Sequence, residues 1–298
     1  MTAAADTPLA PDFRRVAAAR RLFGRPDFAA ARADPAAART RQHRLVAATG
    51  GVASNPVAEA GDRLVAVPSG APRPGLGPIL YIHGGGLVFY DVAIYRPWLQ
   101  LIADGGGRDV IAIDYPRAPE TAPAAVLAAV AAAAAEAAAS APGLPVLAGD
   151  SVGGLIALWL CAQAGVVAER LVLIAPMLNL REDRRFDSYA AYGAGYGLDA
   201  EFMPWFRALV REALPDFDPL GPEPFAASLP ERTAVASPAC DLLADEAAAF
   251  AGLMAQRGSP IERLVLAGLP HDFWLYPGFA PVREASRRVA ALCGAAAD

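Results

Sequence analysis

The amino-acid sequence predicts an α/β fold with a mostly parallel sheet covered by helices. Runs of apolar residues of strand length recur along the chain, and segments of helical composition separate them. That alternation is typical of parallel sheets, whose strands are joined by crossover helices. The 298 residues, of which 55% are hydrophobic, can build one large α/β domain or two modest ones.

Strands are predicted where short apolar runs end in glycine, proline or polar residues. The stronger runs are Pro78–Ile82, Asp109–Tyr115, Leu144–Ala148, Arg170–Ala175, Thr233–Ala239 and Ile261–Leu266. Two further strand-like runs, His43–Ala48 and Arg63–Val67, precede them and are separated by a Gly/Asn/Pro turn region. In this arrangement His43 lies at a strand edge, at the surface or half-buried.

Helices are predicted for much of the remaining chain. The predicted segments are Asp12–Phe23, Pro26–Arg39, Ala122–Ala141, the stretch from Leu155 to Leu160, Ala244–Gln256 and Val282–Cys293. The Ala-rich segment is long enough to raise the question of a membrane span. Because Pro123 and Glu136 interrupt it and alanine is only weakly apolar, we expect a packed helix and no membrane span. The N-terminus has no recognisable signal peptide, so the expected location is cytoplasmic.

Composition excludes several classes of function. The net charge of -5 argues against a nucleic-acid partner, which needs a basic face. The chain has no lysine, which excludes Schiff-base chemistry, Ser-x-x-Lys hydrolases and the Walker P-loop. Cys161, Cys240 and Cys293 have no pair or metal spacing, and the three histidines lie far apart in sequence. We therefore expect no metal and no cofactor.

The stretch from Gly149 to Gly154 carries a candidate nucleophile. It reads Gly-Asp-Ser-Val-Gly-Gly between an apolar run and a helix, which places Ser151 in a G-x-S-x-G nucleophile elbow. Such a turn is so sharp that only glycine at its flanks lets the strand and the helix approach without a Cβ clash. Five-residue patterns recur by chance, so the motif alone is also compatible with an ordinary glycine-rich turn.

A glycine-rich loop follows the strand that ends at Ile82. Its sequence, His83 followed by Gly84, Gly85 and Gly86, exposes backbone N–H groups at the end of a buried strand, where ligands bind in open α/β sheets. A merely flexible loop does not explain that position. We expect His83 to brace the loop by hydrogen bonding.

The order of polar residues after the serine completes a catalytic constellation. A serine hydroxyl needs a base to take its proton, and the base needs an acceptor that fixes its tautomer. His271 is the only histidine downstream of Ser151, and Asp241 follows the preceding strand. Asp245 and Glu246 compete for the acceptor role but lie in the next helix, where such carboxylates are common. Asp272 is expected to point away from the base and to be structural.

Aromatic residues crowd the segment from about 181 to 227. They are Phe186, Tyr189, Tyr192, Tyr196, Phe202, Trp205, Phe206 and Phe217. The segment reads as an insertion between two strands, either a lid that lines an apolar substrate pocket or a small aromatic core that joins two helices. The expected pocket-lining residues from this segment are Tyr192, Phe202, Trp205 and Phe206.

These motifs together resemble the hormone-sensitive-lipase family of α/β-hydrolases. The matching stretches are His83–Gly86, Asp114–Tyr115 with Ala118–Glu120, Gly149–Gly154, Asp241–Glu246 and His271–Phe273, in the family's order. The resemblance implies an α/β-hydrolase fold with Ser151 as nucleophile, His271 as general base and then acid, and Asp241 as its orienter. It implies an oxyanion hole formed by Gly85, Gly86 and Val152. We expect His83, Gly84 and Asp150 to border the bound substrate.

The resemblance also divides the chain. The catalytic domain would comprise residues 46–180 and 228–298, with a helical cap formed by an N-terminal arm, residues 1–45, and the insertion, residues 181–227. The sequence departs from the family's pattern at Val152, Leu242 and Asp272 and in the order Tyr115–Arg117. These departures leave the substrate preference open.

The expected function is a cofactor-free serine carboxylesterase for short-to-medium acyl or aryl esters. Its partner would be a small-molecule ester, and a homodimer remains open. Alternatives are an acyltransferase or lactone-directed hydrolase on the same triad, or a non-catalytic binding protein of this fold. A dinucleotide-binding fold is disfavoured because no G-x-G-x-x-G opens a helix. Activity is expected to fall as the pH drops through about 6.5, the pKa of a free imidazole.

Overall fold

The computed structural model describes residues 8–24, 26–56, 63–222 and 228–294. Within these ranges the core is a seven-stranded sheet in the order β1-β3-β2-β4-β5-β6-β7. Only β1 runs antiparallel, against β3, and the remaining neighbours are parallel. The predicted helix-covered, mostly parallel sheet is therefore confirmed.

The elements alternate along the chain. The strands are β1 Leu64–Val67, β2 Ile79–Ile82, β3 Val110–Ile113, β4 Val146–Asp150, β5 Arg170–Ile174, β6 Arg232–Cys240 and β7 Glu262–Pro270. The helices are α1 Pro11–Leu22, α2 Phe28–Ala33, α3 Pro35–Ala48, α4 Val92–Gly106, α5 Pro123–Ala139, α6 Val152–Ala162, α7 Asp187–Tyr192, α8 Met203–Ala213, α9 Ala244–Gln256 and α10 Ala280–Cys293.

Helices bury both faces of the sheet. Alternate residues of β2 and β4 point to opposite faces, so that Leu80 and Leu147 join the core under α5, α6 and α9, whereas Ile79 and Val146 join the core under α4 and α10. Neither face of these strands contacts solvent, so successive residues are all apolar, which explains their continuous apolar sequences. The carboxyl ends of β2, β4, β6 and β7 therefore meet along one edge, where the loops that follow them can form a site.

One predicted strand is wrong. Residues 43–48 form the last part of α3 rather than a strand, and His43 is 1% exposed, not half-buried. The helix begins with Asp34, whose carboxylate accepts from the Ala37 N–H, and Pro35 follows at the first helical position. Both are helix-start signals, and tertiary contacts allow the helix to continue through the β-compatible end of this segment. The sequence pattern did not predict α4, which Gly107 terminates in the left-handed conformation directly after Gly106.

The N-terminal helices are fastened to the loops that follow β2 and β3. Arg39 of α3 donates from Nε to the Val88 carbonyl at 2.6 Å and from Nη2 to the Ala118 carbonyl at 3.0 Å. Its guanidinium also forms a two-pronged ion pair with Glu120. Because guanidinium forks fit carboxylates in a fixed geometry, this contact sets the orientation of α3 on these two loops.

The segment between β5 and β6 is held by Glu246 of α9. The buried carboxylate of Glu246 accepts hydrogen bonds from the N–H groups of Leu178 and Asn179 at 2.6 and 2.7 Å. It also accepts from the Tyr189 hydroxyl at 2.5 Å, and Arg207 lies 3.5 Å away. Glu246 is therefore the acceptor that connects α9, the segment that follows β5, α7 and α8.

Asp245, the other alternative to Asp241 as the acceptor for His271, also holds this segment. Its Oδ2 accepts from the Ser188 N–H at 2.9 Å. Both carboxylates of α9 thus accept hydrogen bonds from the segment that follows β5, and neither contacts His271.

Within the described ranges, none of the helices combines the length and apolarity needed to cross a bilayer.

Replacing Glu246 by Ala should lower the free energy of unfolding by roughly 3 kcal/mol, because three donors and the Arg207 charge lose a buried acceptor. Glu246→Gln should cost less, since the amide oxygen still accepts. Urea denaturation followed by circular dichroism measures both changes. Glu262→Ala, at an exposed position of β7, serves as the control and should change stability by less than about 0.5 kcal/mol. A Glu246→Ala protein as stable as wild type would contradict this account.

Candidate active site

Ser151 lies on a strained turn between β4 and α6. Its backbone has φ 54° and ψ -122°, outside the regions that a residue with a Cβ normally adopts. A Cβ at Gly149 would clash with the carbonyl of Gly153, and one at Gly153 with the carbonyl of Ile82. The two glycines therefore allow the close contact of strand and helix, and the turn lifts the serine side chain out of the end of β4. The sequence-predicted elbow has the expected geometry.

His271 and Asp241 come together at the ends of β7 and β6. The Nδ1 atom of His271 lies 2.9 Å from Oδ2 of Asp241. The other oxygen of Asp241 accepts from the Leu243 N–H at 3.0 Å. Trp274 packs edge-on against the imidazole, with ring centroids 5.2 Å apart. Because the Asp241 carboxylate can only accept a hydrogen bond, Nδ1 of the neutral ring carries the proton and donates, and the free lone pair is on Nε2.

Ser151 and His271 both line one cavity of about 670 Å³. Gly85 and Gly86 line the same cavity, with φ of 101° and 64° that a residue with a side chain rarely adopts. A Cβ at Gly86 would also clash with the ring of Phe206. The predicted loop therefore lies beside the predicted nucleophile, and only glycine fits its conformation.

The buried carboxylate of Asp150 holds the base of the cavity together. It accepts from the hydroxyls of Tyr81 and Tyr95 at 2.7 and 2.8 Å and from the Gly84 N–H at 3.0 Å. The Tyr95 hydroxyl in turn accepts from Trp274 Nε1 at 3.1 Å. Burial raises the pKa of Asp150 to about 6, although the two tyrosine hydroxyls act in the opposite direction.

The structure corrects part of the expected substrate contacts. His83, Gly84 and Asp150 are behind the cavity wall rather than in it. His83 is 1% exposed, stacks on Tyr115 with ring centroids 4.2 Å apart, and has Nδ1 2.8 Å from the Gly84 carbonyl oxygen. Its expected bracing role agrees with these contacts. Groups that hold a loop from beneath are shielded by that loop, which is why they do not face the cavity.

The insertion contributes to the cavity through only some of its expected aromatics. Phe202 and Phe206 line it, whereas Tyr192 and Trp205 are buried and do not line it. Trp205 stacks on Phe206 with centroids 5.8 Å apart. The aromatic segment is therefore both wall and packing core, so the two interpretations of its sequence each describe part of it.

Several cavity residues were missed by the sequence. They are Arg20, Arg21, Arg41 and Gln42 from the N-terminal helices and Phe89 and Tyr90 from the loop after the glycines. Arginines in an Ala-rich amphipathic helix are also typical of a solvated face, as Arg21 and Arg41 are at the cavity rim, so the local pattern contains no signal that Arg20 is part-buried. The Gly-rich loop was the only available hint for Phe89 and Tyr90, which follow it directly.

Asp272 does not point away from the base as expected. Its Oδ1 lies 3.9 Å from Nε2 of His271, and its Oδ2 accepts from the Tyr90 hydroxyl at 3.0 Å. Burial acts to lower the pKa of His271, but the carboxylates of Asp241, Asp272 and Asp150 outweigh it and raise that pKa to about 9.

The fold and the site define a class of protein. A sequence profile of a family described as "alpha/beta hydrolase fold" matches residues 79–275, which include the serine turn, the glycine loop, Asp241 and His271. The chain belongs to this family, as the resemblance predicted. The architecture and the residues that meet at the carboxyl edge of its sheet agree with that assignment.

Individual relatives are esterases. The chain is 33% identical over 227 residues to an ethyl acetate hydrolase of Pseudomonas putida, covering 71% of this chain and 70% of the relative. A hyperthermophilic esterase from Pyrobaculum calidifontis has a TM-score of 0.70 and 26% identity, covering 95% of this chain and 97% of its own. A thermostable esterase from Pseudomonas putida has a TM-score of 0.77 at 20% identity, covering 95% and 96%, and shares the fold. The protein is a carboxylesterase-type hydrolase.

The imidazole of His271 should titrate well above 6.5, near pH 9. Because this folded pKa exceeds the unfolded value, the charged contact with Asp241 stabilises the fold fully below about pH 6.5 and is lost as the pH rises through about 9. NMR titration of the ring resonances, assigned with His43→Gln and His83→Gln variants, measures it. Asp272→Asn should lower the value by removing a nearby negative charge. A titration of His271 at or below 6.5 would contradict the electrostatic account.

Proposed function

We propose that the protein is a serine carboxylesterase that works through an acyl-enzyme, with Ser151 as nucleophile, His271 as base and Asp241 as its orienter. The observation that carries the proposal is the 2.9 Å contact between His271 Nδ1 and Asp241 Oδ2 at the wall of a cavity that Ser151 also lines. The relationship to esterases supports the same reaction class.

In the first half-reaction the Ser151 hydroxyl attacks the ester carbonyl carbon. The new C–O bond forms as the serine proton passes to Nε2 of His271, and the carbonyl π electrons move onto oxygen. Asp241 keeps the Nδ1–H donor in place, so that Nε2 is the basic nitrogen. Backbone N–H groups of Gly85, Gly86 and Val152 would donate to the oxyanion, each worth roughly 3 kcal/mol of transition-state stabilisation.

Collapse of the tetrahedral intermediate expels the alcohol. The C–O bond to the alcohol breaks, and the proton on Nε2 of His271 passes to the departing oxygen. Water then attacks the acyl-enzyme by the same route, giving its proton to His271, which returns it to Ser151. The net reaction adds one water to one ester, and no electron donor or acceptor is required.

The acyl chain is proposed to be short to medium. The Phe206 ring packs directly on Gly86, and Phe89 meets Phe206 edge-on with centroids 6.0 Å apart. These rings close the cavity beside the proposed oxyanion hole, so a long acyl chain would have to displace them. The name of the ethyl acetate hydrolase, whose substrate carries an acetyl group, agrees with this limit.

Replacing Ser151 by Ala should reduce turnover of p-nitrophenyl acetate on the order of a million-fold, because a triad acts as a unit. Release of p-nitrophenolate measures the rate, and labelling by a fluorophosphonate followed by mass spectrometry locates the reactive serine. Ser140→Ala, at an exposed serine that follows the end of α5 and does not line the cavity, is the matched control and should leave both readouts unchanged. Equal rates in wild type and Ser151→Ala would refute the mechanism.

The pH dependence follows from the raised pKa of His271. Only neutral His271 accepts the serine proton, so kcat/KM should rise about tenfold per pH unit up to the pKa, near 9 rather than at 6.5. Initial rates with p-nitrophenyl acetate, corrected for spontaneous hydrolysis at each pH, test this. A profile already flat above pH 7.5 would show that the cavity carboxylates do not raise the pKa of the working base.

A further inference from the structure

The cavity over Ser151 has two walls of different chemistry. One wall is aromatic and borders Gly86, where Phe206 packs against Phe89 and stacks on Phe202 with centroids 5.7 Å apart. A second wall borders His271 and is polar, with Asp272 and Tyr90. A substrate that spans the cavity therefore meets apolar rings on one side and hydrogen-bonding groups on the other.

A chain of hydrogen bonds builds the polar wall, and it runs from helix α3 to Asp272 beside His271. Nε2 of Gln42 donates to the Tyr90 hydroxyl at 2.8 Å, and that hydroxyl donates to Oδ2 of Asp272 at 3.0 Å. The chain holds the carboxylate in place. The backbone of Asp272 is left-handed, with φ 61°, which turns the side chain back toward the cavity.

One oxygen of Asp272 remains available. Among the described residues, no donor lies within hydrogen-bond distance of Oδ1, and its near neighbour is Nε2 of His271 at 3.9 Å. The side chain is 10% exposed, and that exposure opens into the cavity. A carboxylate oxygen with spare lone pairs is a strong acceptor for a ligand O–H or N–H.

The orientation of a bound ester follows from the proposed mechanism, on which this inference rests. The departing alcohol receives its proton from Nε2 of His271, so its oxygen must lie on the His271 side. The acyl group then lies on the side of Gly86 and Phe206. The alcohol portion is thereby brought to the wall that carries Asp272.

The geometry points to Asp272 as the specificity residue for the alcohol portion, selecting esters of hydroxyl-bearing alcohols whose O–H donates to Oδ1. The acyl group of such a substrate is small and apolar, and the alcohol is a short polyol. Asp272 thus recognises substrate in addition to flanking His271.

A neutral hydroxyl fits this subsite better than an ammonium group. Arg20 lines the same cavity, donating from Nη2 to the Tyr276 hydroxyl at 3.1 Å and from Nη1 to the Gly197 carbonyl at 3.3 Å. Burial acts to lower the pKa of Arg20, yet Tyr276, Tyr90 and Asp272 raise it, so its charge and that of Asp272 act on each other. A second cation beside Asp272 would meet repulsion from Arg20, whereas an uncharged donor would not.

The test compares glyceryl monoacetate with n-propyl acetate, which share the acetyl group and a three-carbon alcohol and differ in the hydroxyls. Wild type should favour glyceryl monoacetate at least about tenfold in kcat/KM, the gain expected from a hydrogen bond to a charged acceptor. Asp272→Gly should bring the ratio close to one, and Asp272→Asn should give an intermediate ratio. Glycine and asparagine both tolerate the left-handed backbone at this position.

Acetate release at fixed pH gives the ratio for each variant. The ratio is independent of the folded fraction and of the pKa of His271, since both affect the two esters equally. Asp183→Asn, at an exposed carboxylate paired with Arg181, should keep the wild-type ratio. A wild-type ratio near one, or an unchanged ratio in Asp272→Gly, would overturn the subsite while leaving the esterase assignment intact. If wild type did not hydrolyse p-nitrophenyl acetate at all, the proposed function itself would be refuted.

Discussion

The buried carboxylate of Asp150 is the contact on which the rest of the site depends. It lies at the end of β4, directly before Ser151, and accepts hydrogen bonds from Tyr81, Tyr95 and Gly84. Through the Tyr95 hydroxyl, which Trp274 also contacts, it connects to the loop that carries His271. A buried anion must satisfy its oxygens or become protonated, so these donors are required to stay in place. The serine turn, the glycine loop and the histidine loop therefore share one buried acceptor.

The elements around the cavity depend on similar buried polar contacts. Glu246 gathers the segment after β5, and Arg39 fastens α3 to the loops after β2 and β3. Neither residue reaches the cavity, but each places an element that lines it. The cavity thereby combines residues from the N-terminal helices, the glycine loop and α8, which are far apart in sequence. Its two walls differ because α8 contributes aromatic rings and α3 contributes a polar side chain that supports Tyr90.

Much of this arrangement could be predicted from local sequence. The glycines around Ser151 and after His83 are needed because no other residue fits the backbone there, and that need is visible in the sequence. Asp241 and His271 were identifiable because each directly follows a strand of the same parallel sheet, whose carboxyl ends meet. Residues 43–48, in contrast, have a composition compatible with either helix or strand, and the packing of α3 on the loops that follow β2, β3 and β7 decided in favour of the helix.

The sequence by itself determined the parallel sheet, the strained serine turn, the glycine loop and the order of the polar residues, because each depends on backbone geometry within a few neighbouring residues. Only the tertiary structure decided that Asp150 and His83 lie behind the cavity, that Arg20 and Gln42 turn into it, and that Asp272 faces His271. Those positions depend on which distant segments pack together. A side chain's burial and its partners are properties of that packing, and the sequence around the residue does not encode them.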